Sequence, residues 1–226
     1  LFSNPNEIRI ERNTNKNLIR NSQDSYFVGA TAPSLNDLLK LYDEAWIDEW
    51  YEDKKTQEEY KAKGKQMLKA FYEDLKGVWP EMLYLEQPFR ISLGGYAIKG
   101  AIDRIDKITS PLSPPLKGGE GGGVVIIDYK TGGAPEEGKV EKDQLFLYQI
   151  AVKASLGLEP VSLEYYYLKE NKRIKFLGAA KDLEKLKEKI TATIQEIQTS
   201  DFAATPSSHK CRFCDFKEIC EWRVLG

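Results

Sequence analysis

The alternation of apolar and polar positions divides this chain into a helical opening, a block of strands, and a mixed second half. Leu35, Leu38, Leu39, Tyr42, Trp46 and Trp50 return at helical spacing. Ser34, with Asp37 three residues on, supplies a capping box at the start of that helix. A second helix is predicted from about Thr56 to Lys76, with Tyr60, Gly64, Met67, Leu68, Phe71, Tyr72 and Leu75 as its apolar stripe. Both stripes read as core packing. The period then shortens. Residues 86–93 and 96–106 flank Gly94-Gly95, a two-residue hairpin signal. A nearly continuous apolar strand follows over 124–129, then a Gly-rich turn at Thr131-Gly132-Gly133. A helix over about 142–156 comes next, then a hairpin of 163–168 with 173–177 turning near Glu170-Asn171-Lys172. Leu183, Leu186, Ile190, Ile194 and Ile197 mark a last long amphipathic helix. This order predicts an α/β fold, a central mixed β-sheet flanked by helices.

Three segments depart from the pattern. Residues 1–33 are polar and Asn-rich, and are expected to pack poorly apart from a short strand near Glu7 to Glu11. Residues 109–123 carry Pro111, Pro114, Pro115 and a run of glycines, the chemistry of a disordered insertion between two strands. Residues 201–226 hold the only His and all three Cys. The predicted organisation is therefore a loose segment 1–33, a core 34–200 interrupted at 109–123, and a cysteine-rich tail 201–226.

Composition narrows the possibilities further. A hydrophobic content of 41% supports a real core, and 30% charged residues balance to a net charge of only −2. The chain is no polycation, so any grip on nucleic acid has to come from a local patch. No apolar run approaches the ~18 residues that cross a bilayer, so no membrane partner is expected. The first residues lack the basic and apolar regions of a secretory signal. An odd number of cysteines confined to 211–220 is no disulfide scaffold, so a cytoplasmic setting is expected. The absence of an initiator Met suggests a fragment or a processed chain.

The candidate chemistry centres on Asp128-Tyr129-Lys130. An acid and a lysine one residue apart on a strand point to the same face. Within residues 100–106, Ala101, Asp103 and Ile105 share one face while Ile102, Arg104 and Asp106 share the other. A carboxylate among apolar strand residues is costly unless it is paired or binds metal. Asp103 and Asp128 on neighbouring strands would repel, and a bound Mg²⁺ or Mn²⁺ would relieve that repulsion. Gln144 and Tyr148 lie four apart and share a helix face. The plain alternative is a strand-end acid facing solvent with Lys130 as its ion-pair partner.

Gly100 to Asp106, Asp128-Tyr129-Lys130-Thr131 and Gln144-Leu145 with Tyr148 together resemble the PD-(D/E)xK nuclease superfamily, most closely its RecB-type nuclease domains. The likeness runs from about Ser34 to Trp222. It implies a restriction-endonuclease-like core and phosphodiester hydrolysis in DNA with Mg²⁺ or Mn²⁺. It implies metal ligation by Asp103, Asp128 and the main-chain carbonyl of Tyr129. Lys130 would orient the attacking water and stabilise charge on the phosphate. Gln144 and Tyr148 would brace the site and touch the DNA backbone. The substrate would be DNA, single-stranded or with free ends, in a repair or recombination system. No P-loop is present, so a helicase domain or subunit would have to supply any motor.

Cys211, Cys214 and Cys220 are three thiols in ten residues, a spacing suited to zinc or an iron–sulfur cluster. The tail is similar to the iron–sulfur staple of AddB-like nucleases, in which such a triplet completes a 4Fe-4S cluster with a Cys far upstream. This sequence has no fourth Cys, and no clear counterpart of the upstream helix that carries a His ligand in many relatives. His209 offers a Cys3His zinc site as the alternative. Arg104, Lys107, Lys172, Arg173 and Lys175 are candidates for a DNA path, with Tyr165 to Tyr167 as stacking surfaces. Two rival readings keep the same residues: a non-catalytic DNA- or partner-binding module, and a zinc-stabilised interaction domain.

Overall fold

The computed structural model describes residues 7–9, 33–49, 51–76, 79–108, 123–136 and 138–224. Trp50 and nearly all of the expected loose segment 1–33 and insertion 109–123 lie outside the described residues. The chain divides into two compact units, residues 1–187 and 188–226.

The first unit is built on strands β1 (Glu7–Arg9), β2 (Glu81–Leu93), β3 (Tyr96–Lys107), β4 (Val124–Lys130), β5 (Pro160–Tyr167) and β6 (Lys172–Phe176). They form one sheet in the order β1-β3-β4-β5-β6, with β2 paired to β3. The sheet is mixed: β1 with β3 and β4 with β5 are parallel, and the other pairs are antiparallel. Its helices are α1 (Leu35–Glu44), α2 (Lys54–Leu75) and α3 (Asp143–Leu156); α4 (Ala180–Thr199) runs from the first unit into the second.

Local chemistry accounts for most of these boundaries. Ser34 and Asp37 close the reciprocal capping box that starts α1. Asp53 caps α2 through the Thr56 amide. Gly94 and Gly95 take φ of 56° and 85°, the left-handed pair that a tight two-residue hairpin requires. Gly157, at φ 65°, ends α3. The ends of the 109–123 insertion are tied together, since Ile108 N donates to the Gly123 carbonyl at 2.9 Å.

The core is the sheet and what covers it. Ile102, Ile105, Ile126, Leu145, Leu163 and Tyr166 are fully buried. Each such side chain contributes about 1.5–3 kcal/mol by leaving water. Helix α2 lies on the face that carries Tyr129 and Tyr166, where Phe71 meets both rings. Helix α3 lies on the opposite face, where Phe146 meets Phe176. Gln149 of α3, itself buried, bonds both the amide and the carbonyl of Gly178 at 3.0 and 3.1 Å, fixing that helix to the chain after β6.

The helical opening departs from expectation. The α1 helix ends at Glu44, so Trp46 falls beyond it, and α1 contains no buried residue. Tyr60 is exposed rather than part of the core. Tyr42, Trp46, Tyr51 and Tyr60 instead form a run of successive ring contacts at 5.5, 5.7 and 5.8 Å. The second half of the α2 stripe reaches the sheet through Phe71.

Candidate active site

Asp128 and Lys130 stand on the α3 side of β4 with Ile126, while Ile127 and Tyr129 stand on the α2 side. The β3–β4 ladder pairs Arg104 with Ile127 and Ile105 with Ile126. Opposed residues share a face, so Asp103 belongs to the side of Asp128 and Arg104 to the side of Tyr129. Beyond Arg104 and Ile127 the ladder stops. There the Tyr129 amide donates to Asp103 Oδ2 at 3.0 Å. The Asp103 carboxylate thus reaches the peptide that joins Asp128 to Tyr129. Val124 N and Lys130 O bond toward β5, so the odd-numbered peptides of β4, including the Tyr129 carbonyl, turn toward β3.

Asp128 is wholly buried, and Asp103 nearly so. A buried carboxylate costs several kcal/mol unless opposite charge is near. Lys130 Nζ lies 2.6 Å from Asp128 Oδ2. That oxygen has no aligned hydrogen bond, so the ammonium serves it as a counter-charge at close range. The same ammonium donates to Gln144 Oε1 at 2.7 Å, and Gln144 Nε2 donates to Tyr148 OH at 2.9 Å. The Tyr165 ring lies beneath Lys130 at 5.1 Å. The lysine side chain keeps 31% of its surface open to solvent. A relay therefore runs Asp128–Lys130–Gln144–Tyr148, with both ends buried and a partly exposed cation between them. A chain of contacts joins Asp103, Tyr129, Asp128, Lys130, Gln144 and Tyr148.

The donor set suits a hard cation. It consists of two carboxylates and a nearby peptide carbonyl, all oxygen, and Mg²⁺ is commonly held by one or two carboxylates with water completing its shell. Among the described residues, no group of three or more His, Cys, Asp or Glu is gathered to hold a metal.

Other expectations are corrected. Arg104 does not line a DNA path: it is only 3% exposed and lies on the α2 side of the sheet. Its Nε and Nη2 grip both oxygens of Asp106 at 2.7 Å, and its Nη1 donates to Tyr129 OH at 2.9 Å. Arg173 is likewise occupied, with Glu164 at 3.2 Å and Asp74 at 3.0 Å. Tyr165, Tyr166 and Tyr167 are buried sheet residues and offer no stacking platform. Burial pushes the Tyr129 phenol upward, and it takes Tyr166 to about 12. Burial also raises Asp106, although the Arg104 guanidinium pulls it back. Sequence reasoning missed that Tyr165 supports Lys130. The usable signal was its parallel register with Asp128. It also missed Glu86, which takes a φ of 48° within β2, between the partners of Arg104 and Ile102.

In the second unit, Ser207 caps α5 (Ser208–Arg212), and Cys214 N bonds back to the Cys211 carbonyl at 3.4 Å. Cys211, Cys214 and Cys220 are free thiols of intermediate burial. The His209 ring packs on Phe213 rather than joining them in a metal-binding group. No described helix is long and apolar enough to cross a membrane.

No curated protein matches the chain. A solved structure described as "Crystal structure of SSO0001" aligns over 84% of this chain and 97% of its own at 20% identity and a TM-score of 0.38, a likeness too weak to bear on function. A family model of the PD-(D/E)XK nuclease superfamily matches residues 25–221. That span takes in strands β2 to β6, the helices that cover them and every residue of the relay, and the chain belongs to the PD-(D/E)XK nuclease superfamily.

Proposed function

We propose that the chain is a metal-dependent deoxyribonuclease of the RecB type. The observation that carries this reading is the meeting of Asp103, Asp128 and Lys130 where the β3–β4 ladder ends. Asp103, Asp128 and the Tyr129 carbonyl hold Mg²⁺ or Mn²⁺. When bound, that ion supplies a Lewis acid for the phosphate and acidifies the attacking water. Lys130 contributes positive charge where the phosphate becomes more negative, and a fixed cation is effective there because it needs no reorganisation. Gln144 sets the direction of the ammonium, and Tyr148 sets Gln144. The substrate is DNA, single-stranded or with free ends, and the setting is repair or recombination alongside a helicase supplied by another domain or subunit.

The test uses labelled single- and double-stranded DNA with Mg²⁺, Mn²⁺ or EDTA. Cleavage is expected with either ion and none with the chelator. Metal-dependent cleavage that survives Asp128→Ala or Lys130→Ala removes these residues from the assignment. Tight DNA binding without turnover under any metal replaces the enzyme with a binding module.

The cysteine tail is proposed as a metal site. Three thiols do not by themselves fit a 4Fe-4S cluster, which takes four thiolates. The fourth ligand must come from outside this chain. The zinc alternative uses His209 and requires its ring to leave Phe213. Elemental analysis decides: iron with sulfide supports the cluster, and zinc alone supports the alternative.

A further inference from the structure

Two adjacent residues of β3 hold one residue of β4 from both sides of the sheet. Asp103 accepts from the Tyr129 amide, and Arg104 donates to the Tyr129 hydroxyl at 2.9 Å. Both contacts lie at the point where the backbone ladder stops. The spacing of β3 from β4 beside the carboxylates is therefore set by side chains. Asp103 contributes its hydrogen bond to the Tyr129 amide. Arg104 contributes a rigid anchor, because its other edge is locked in a fork on Asp106 with both bonds at 2.7 Å. Burial opposes the Arg104 charge, and the Asp106 and Tyr129 contacts more than restore it, so this cation persists. The Tyr129 ring is also wedged between Phe71 at 5.9 Å and Tyr166 at 5.9 Å.

We infer that Arg104 and the Tyr129 hydroxyl form a positioning clamp that sets the separation of Asp103 from the Asp128–Tyr129 peptide, and through it the affinity of the site for a divalent cation. Neither group touches the cation or the substrate. The inference rests on the metal-site reading above and adds to it residues from the far face of the sheet. Partners that orient metal ligands from behind commonly change affinity by roughly 10–100-fold when removed.

The same face supplies the control. Tyr166 carries a hydroxyl in the same polar cluster, bonded to Asp74 at 3.1 Å, but it stands on β5 and bonds no β3 residue. Tyr129→Phe and Tyr166→Phe each remove one buried hydroxyl. Mn²⁺ binding to the full chain without DNA is followed by the electron paramagnetic resonance of the free ion, alongside the thermal midpoint and hydrogen exchange at the Tyr129 amide. Tyr129→Phe is expected to weaken Mn²⁺ binding roughly tenfold and to speed exchange of that amide. Tyr166→Phe is expected to lower the midpoint similarly while leaving Mn²⁺ affinity within about twofold, since the ring that meets Tyr129 is kept and the hydroxyl it loses bonds no β3 residue. Equal Mn²⁺ affinities in the two variants, with wild type binding the ion, overturn the clamp alone. If wild type binds no Mn²⁺, the metal-site reading falls and the clamp's role falls with it.

Discussion

The two faces of β3–β4 carry comparable polar chemistry arranged to opposite ends. On the α2 side, Arg104 with Asp106 and Arg173 with Glu164 and Asp74 pair donors with acceptors in close geometry. On the α3 side, two carboxylates share the neighbourhood of one partly exposed lysine. One face is saturated and rigid. The other sets two carboxylates where the backbone ladder ends, with a partly exposed lysine beside one of them. Strand alternation lets a few consecutive residues serve both purposes. Asp103 and Asp128 face the candidate metal site, while Arg104 and the Tyr129 side chain face the brace.

That contrast can be broken most severely at Asp128. Asp128→Asn is expected to lower DNA cleavage by about a thousandfold, roughly 4 kcal/mol of barrier, in single-turnover assays. Its metal-free thermal midpoint should hold or rise, because a buried negative charge is gone. A large fall in midpoint would show that both faces are structural. On the braced side the sign reverses. Arg104→Met strands Asp106 without its cation and is expected to cost about 3–5 kcal/mol in urea unfolding. Adding Asp106→Leu should recover much of that loss, since replacing a buried pair by apolar neighbours is often near neutral.

A milder test separates the relay from the fold. Gln144→Ala frees the Lys130 ammonium and should reduce cleavage about tenfold, or ~1.4 kcal/mol, with little change in unfolding. A steep loss of stability instead would place Gln144 in the brace. The smallest effect is expected in acid. Asp37 is held low by Ser34, and Asp43 by Lys65 and Lys61. Their folded values lie below the ordinary 3.8, so their contribution is present above that pH and lost as pH falls through the lowered values. Asp106 is raised, so its contribution is full below 3.8 and declines as pH rises through the raised value. Amide exchange compared between pH 5 and pH 3 should show α1 and the start of α2 opening first while β3 stays protected. Simultaneous loss across both would remove the distinction.

Much of this arrangement was legible in the residues themselves. Gly94-Gly95, the Ser34–Asp37 box and the alternation around Asp128 are local signals, and each is realised where it was read. The four-residue spacing of Gln144 and Tyr148 correctly put them on one face of α3. The limits are tertiary. Alternation assigned Arg104 to the side away from Asp103, but it could not show that α2 would cover that side and bury a cation. The tyrosines of β5 look the same whether a helix or a nucleic acid lies over them. Trp46 continued a helical period after α1 had ended, because its ring finds Tyr42 and Tyr51 without needing another turn.

The Ile108–Gly123 hydrogen bond closes the mouth of the segment between β3 and β4. Because that closure belongs to the strands, the stretch beyond it is a natural splice point. Each doubling of its length should cost only about 0.6 kcal/mol, so a reporter or a second module could be grafted there while the β3–β4 register stays in step.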